Sequence, residues 1–97
     1  MRVHFLDEAS AELDEATDWY IAQEALSAAA DLHSELSRAV GRLAAEPGLG
    51  TPGLRGTRTF PIHRFPYSLV YRVDEDVLTV VSVSAHRRRP EYWARRL

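Results

Sequence analysis

Eleven residues near the C-terminal end, His86-Arg87-Arg88-Arg89-Pro90-Glu91-Tyr92-Trp93-Ala94-Arg95-Arg96, hold five arginines and two aromatics. Arginine presents a planar fork that binds phosphate or carboxylate through paired hydrogen bonds. Aromatic rings stack on nucleic-acid bases or fill pockets of a protein partner. Arg87, Arg88, Arg89, Tyr92 and Trp93 are therefore the candidate contacts to a macromolecular partner. The same residues also fit a plainer role, in which Tyr92 and Trp93 pin the C-terminal segment to the core while the arginines are solvated or paired with acids elsewhere. The two roles are compatible.

Other combinations of reactive residue types carry less. Ser82, Ser84 and His86 alternate along one face of a strand and so place hydroxyls near an imidazole. No nucleophile elbow surrounds them and no orienting acid is identifiable, so small polar residues on a half-open sheet face are the better account. Gly48-Leu49-Gly50-Thr51-Pro52-Gly53 matches G-x-G-x-x-G, but a nucleotide site needs a strand before it and a helix after it. Here a helix precedes and a strand follows, which makes the segment a loop. His4, His33, His63 and His86 lack the spacing of a metal site. The absence of cysteine removes disulfides, thiolate nucleophiles and Cys-based zinc sites. No cofactor or metal is expected.

The net charge of −2 hides an asymmetry. Residues 1–50 carry ten acids and three arginines, a net of −7, whereas residues 51–97 carry nine arginines and four acids, a net of +5. All twelve basic residues are arginine. The second half can thus present a positive surface that the overall balance conceals. A length of 97 residues fits one domain with a small core. No apolar run approaches the roughly 20 residues that span a bilayer. Acids from position 7 argue against a secretory leader, so a cytoplasmic location is expected.

These residues need elements to position them. Arg2–Leu6 alternates as a short strand. A first helix follows from Glu8 to about Gln23, with Asp7 as its N-cap. Ala9, Leu13, Ala16 and Tyr20 form its buried stripe, while Glu12, Glu15 and Asp18 face water. A second helix runs from Glu24 or Leu26 to Ala45 on the stripe Ala29, Leu32, Leu36, Val40 and Leu43, and Glu46-Pro47-Gly48 ends it. Three strands follow at Thr57–His63, Tyr67–Val73 and Val77–Ala85, with Pro61 marking an edge or bulge and Asp74-Glu75-Asp76 a hairpin turn. Pro90–Arg96 closes as a turn or short helix. The order β-α-α-β-β-β predicts an α+β domain with a helical hairpin on one face of a small antiparallel sheet. On the last strand, alternation puts Val77, Thr79, Val81, Val83 and Ala85 in the core. Leu78, Val80, Ser82, Ser84 and His86 then share a mixed face with Ser68, Val70 and Arg72, a half-covered hollow rimmed by arginine.

Four stretches carry a resemblance over nearly the whole chain: Phe5-Leu6-Asp7-Glu8-Ala9 with Glu12-Leu13, Ala16 and Trp19-Tyr20; Pro47 through Gly50-Thr51-Pro52; Arg64-Phe65-Pro66-Tyr67-Ser68-Leu69-Val70-Tyr71-Arg72-Val73; and Ala85-His86-Arg87-Arg88-Arg89-Pro90-Glu91-Tyr92-Trp93. In order and spacing they resemble the RelE/ParE toxin superfamily of type II toxin–antitoxin systems, closest to the ParE-like branch. The resemblance implies a cognate antitoxin that wraps the toxin, in a complex that can be a higher-order hetero-oligomer. RelE-like members cut messenger RNA on the ribosome without a metal. The arginine such members carry before the Leu-Val-Tyr stretch is Ser68 here. On that alternative Arg64, Arg72, His86, Arg87 and Tyr92 are the candidate catalytic residues, with Arg64 or Arg72 standing in for the missing cation. ParE-like members, associated with plasmid stabilization, block DNA gyrase without chemistry of their own, and the serine at 68 and the Pro-Glu-Tyr-Trp ending favour that branch. A third possibility is an inactive interaction module of the same fold.

Overall fold

The structure is a computed structural model describing residues 1–97. Strand β1 (Arg2–Phe5) leads into helix α1 (Asp7–Ala22) and helix α2 (Leu26–Ala45), followed by β2 (Thr51–Pro52), β3 (Arg58–Pro61), β4 (Tyr67–Asp74) and β5 (Val77–Ala85). The expected β-α-α-β-β-β order is present, with two-residue β2 added inside the Gly/Pro-rich loop. The five strands form one sheet in the order β1-β5-β4-β3-β2. All pairings after the helices are antiparallel, as short turns require. β1 instead runs parallel to β5, so the sheet is mixed. No helix is long and apolar enough to cross a membrane.

Both helices bury the stripes their spacing predicts. Ala9 and Ala16 of α1, and Ala29, Leu32, Leu36, Ala39 and Leu43 of α2, are buried, with Leu13, Tyr20 and Val40 packed against them. Asp7 is the first helical residue rather than the cap. Leu6 occupies the cap position without a side-chain hydrogen bond, and Asp7 and Glu8 place negative charge against the positive end of α1. The hairpin between the helices needs a left-handed residue but offers no glycine. Glu24 takes φ +57° there, which obscured the break in the sequence.

The sheet faces differ from strict alternation. Val70 of β4 pairs with Ser82, but Tyr71 pairs with Val80, leaving Val81 as an extra residue in a β-bulge. A bulge inverts side-chain parity along a strand. Leu78 and Val80, expected on the mixed face, lie in the core under the helices with Leu69, Tyr71 and Val83. Val81, expected in that core, packs with Val70 and Trp93 in a second cluster.

Tyr71 also holds the Gly/Pro-rich loop. Its hydroxyl donates to the Pro47 carbonyl at 2.6 Å and accepts from the Gly50 amide at 2.9 Å. Arg58 donates to the Gly48 and Gly50 carbonyls at 3.2 and 2.7 Å. A Cβ on Gly50 would lie 2.6 Å from the Tyr71 hydroxyl, so only glycine fits this approach. The loop's backbone is thus turned onto its own protein. Tyr71→Phe leaves a buried amide unpaired and is expected to destabilise the fold by about 1–3 kcal/mol. Urea unfolding should show a lower midpoint at an unchanged slope.

Candidate functional site

The site is built where β5 outlasts its neighbour. Pairing with β1 ends at Phe5–Val80, closed by the Leu6 amide on the Val80 carbonyl at 3.0 Å. From Val81 onward the outer edge of β5 has no strand beside it, and an unpaired edge must find other partners. Two side chains supply them. The Val83 amide donates to Glu12 Oε1 at 3.1 Å, and Arg96 Nη1 donates to the Val81 carbonyl at 3.1 Å.

Glu12 and Arg96 also bind each other through both guanidinium nitrogens, at 2.8 and 3.2 Å, with side chains only 11% and 15% exposed. Ser82 donates to the same carboxylate at 2.9 Å, and the Tyr92 hydroxyl donates to its second oxygen. Burial alone would push the Glu12 carboxyl upward. The hydrogen bonds from Arg96, Tyr92 and Ser82, with the Arg96 charge, outweigh burial and hold it below its ordinary value. Burial and the Glu12 hydrogen bond push the Tyr92 phenol up. The Glu12 hydrogen bond raises Arg96 against the opposing effect of burial.

Sequence reasoning placed Glu12 in water; the structure corrects this. The available signal was its position three residues after buried Ala9 and four before buried Ala16, on the inward side of α1. Nothing in the sequence singled Arg96 out from the neighbouring arginines.

Past β5 the chain turns back over the sheet face away from the helices. Trp93 is 5% exposed and packs on Val70 and Val81, so part of the expected hollow is filled by this ring. Arg87, Arg88 and Arg89 remain exposed. The four ion pairs of the chain join Met1 to Asp76, Arg64 to Asp31, Arg72 to Asp74 and Arg96 to Glu12, and none involves these three arginines. Arg87 lines a shallow groove against α1, beside Glu15, Trp19 and Tyr67. Arg89 and His86 line a cavity of about 390 Å³ on the sheet face, together with Ser68 and Ser84. Arg88 borders both, and its guanidinium lies 3.9 Å from the centre of the Tyr92 ring.

The five residues of the ribonuclease alternative are not assembled in one place. Arg87 and Tyr92 line the groove against α1, whereas His86 lines the cavity on the sheet face, its Nε2 2.8 Å from the Ser68 hydroxyl. Arg64 belongs to the same end of the sheet, since the Pro66 carbonyl accepts from the His86 amide. Its guanidinium, however, pairs with Asp31 of α2 at 3.3 Å. Arg72 shares a face with Ser68 but lies about 13 Å further along β4, beside Asp74. Neither arginine replaces the cation absent at Ser68. No group of three or more His, Asp or Glu residues comes together in the geometry of a metal site.

A helical hairpin on a small mixed sheet is a fold that this chain shares with a solved protein. A chain of the structure titled "Chromosomal ParDE TA system from P. aeruginosa" superposes with a TM-score of 0.75 at 24% identity, over 88% of this chain and 95% of that one. The family described as "ParE toxin of type II toxin-antitoxin system, parDE" matches residues 3–90, and the chain belongs to it. A protein of Sinorhizobium fredii described as "Putative toxin Y4kP" is 33% identical over 73 residues, covering 74% of this chain and 76% of that one. The resemblance read from the sequence is thereby borne out.

Proposed function

We propose that this ParE-family toxin inhibits DNA gyrase by binding, in the cytoplasm, and is neutralised by a cognate antitoxin. The observation that carries the reading is the row Arg87–Arg89, exposed and free of internal ion pairs on a firmly anchored tail. Such a row suits a macromolecular target, and its charge invites an acidic segment of an antitoxin. The dispersal of Arg64 and Arg72 favours binding over RNA cleavage.

Purified protein is expected to stop gyrase supercoiling of a relaxed plasmid while leaving ribosome-bound message intact. Codon-positioned cleavage of that message, with supercoiling unaffected, would reject this reading in favour of the ribonuclease. Expression that is harmless without an antitoxin would instead mark an inactive module.

A further inference from the structure

We propose that the cavity on the open sheet face beside the tail is a binding site for the sugar–phosphate backbone of DNA, engaged without regard to base sequence. The choice of DNA over RNA rests on the gyrase reading above; the site itself rests on the geometry.

The cavity, at about 390 Å³, falls within the size range of small-ligand sites. Its lining includes Arg88 and Arg89 with Thr59, Ser84 and the hydrogen-bonded pair Ser68 and His86; the Arg88 guanidinium rests over the Tyr92 ring at the cavity's border. These are the groups that hold phosphate oxygens in nucleic-acid complexes. One acid, Glu91, also borders the cavity and leaves the two arginines in excess. Neither arginine has an ion-pair partner within the chain, so an anion entering the cavity displaces no internal salt bridge.

The aromatics decide which part of a nucleic acid is held. Trp93 borders the cavity but is only 5% exposed, packed against Val70 and Val81, which leaves too little ring for a base to stack on. The Tyr92 ring carries the Arg88 guanidinium at 3.9 Å and has Arg96 at 5.4 Å. With both rings engaged by the protein itself, base stacking has no platform, and the contact is left to the phosphates. The walls are also preorganised. Trp93 and the Glu12–Arg96 pair fix the tail, which limits the ordering entropy lost on binding.

The test is fluorescence anisotropy of the whole protein with a labelled duplex of arbitrary sequence. Two to three neutralised phosphates predict a dissociation constant that rises about 10- to 40-fold between about 50 and 200 mM salt. The double variant Arg88→Gln/Arg89→Gln should weaken binding to every sequence alike and flatten the log–log salt slope by about two. Both positions are exposed, and an unchanged thermal melt will show that the variant is folded. Several results would overturn the site: no duplex binding at low salt, binding indifferent to salt or to the double variant, or binding of a single-stranded RNA of equal length but not of DNA. The two readings fail separately. A protein that binds duplex yet leaves supercoiling untouched supports the DNA contact and rejects gyrase as target. One that stops supercoiling and binds no duplex rejects the DNA contact and keeps gyrase.

Discussion

Replacing Glu12 with alanine is expected to lower the melting temperature by about 15 °C and the stability at neutral pH by about 3–5 kcal/mol. The expected effect is this large because one carboxylate serves five donors: both Arg96 nitrogens, Ser82, Tyr92 and the Val83 amide. Removing it leaves a guanidinium only 15% exposed with no counter-charge and a strand edge with an unpaired amide. Glu12→Gln separates charge from hydrogen bonding. It keeps the side chain's shape and an acceptor oxygen but loses the ion pair. Because the folded Glu12 carboxyl sits below its ordinary value of 4.5, its contribution is fully present above the unfolded value and is lost as pH falls through the folded one. The stability gap between wild type and Glu12→Gln should therefore be widest at neutral pH and narrow progressively below about pH 5. Urea melts across that range measure it. A gap that does not change with pH would mean that the charge contributes nothing and that only the second acceptor oxygen, replaced by an amide NH2, is missed.

How much of this was legible in the sequence depended on whether the relevant partner was local. The stripe Leu32, Leu36 and Leu43 repeats at helical spacing, and each member meets the sheet as expected. Tyr67–Val73 and Val77–Ala85 read as strands because β-branched residues and a charged turn mark them. Val81 did not read correctly because a bulge is a property of two strands in register, and one strand viewed alone shows only alternation. The parallel pairing of β1 with β5 escaped for the same reason, since its partners lie some seventy-five residues apart. Glu12 was hidden by a sound generalisation: an acid on an amphipathic helix usually faces water. Its partner stands 84 residues away, in a run of arginines that gives no sign of which one turns inward. The arginine cluster was visible from composition alone. That three of its members form no ion pair while a fourth is locked required the fold.

The tail's second anchor sets the other large expectation. Trp93→Ala should cost about 3–5 kcal/mol, as truncation of a buried aromatic does. It would also uncover Val70 and Val81 on the face away from the helices. If Glu12 and Trp93 hold one cooperative unit, detaching either end weakens the hold of the other. The loss in Glu12→Ala/Trp93→Ala should then fall short of the summed single losses by about 1 kcal/mol or more. Trp93→Phe, which keeps a ring on the two valines, serves as a milder partner in the same cycle if the alanine variants fold too poorly to measure. Limited trypsin digestion reads the same coupling locally. Arg87–Arg89 are exposed in the native chain, yet cleavage requires the backbone to open, so release of either anchor should speed cutting there while the helices stay protected. Strict additivity, with digestion unchanged, would show two independent contacts instead of one clasp, and the arginine row would then lack the rigid support that its proposed partners require.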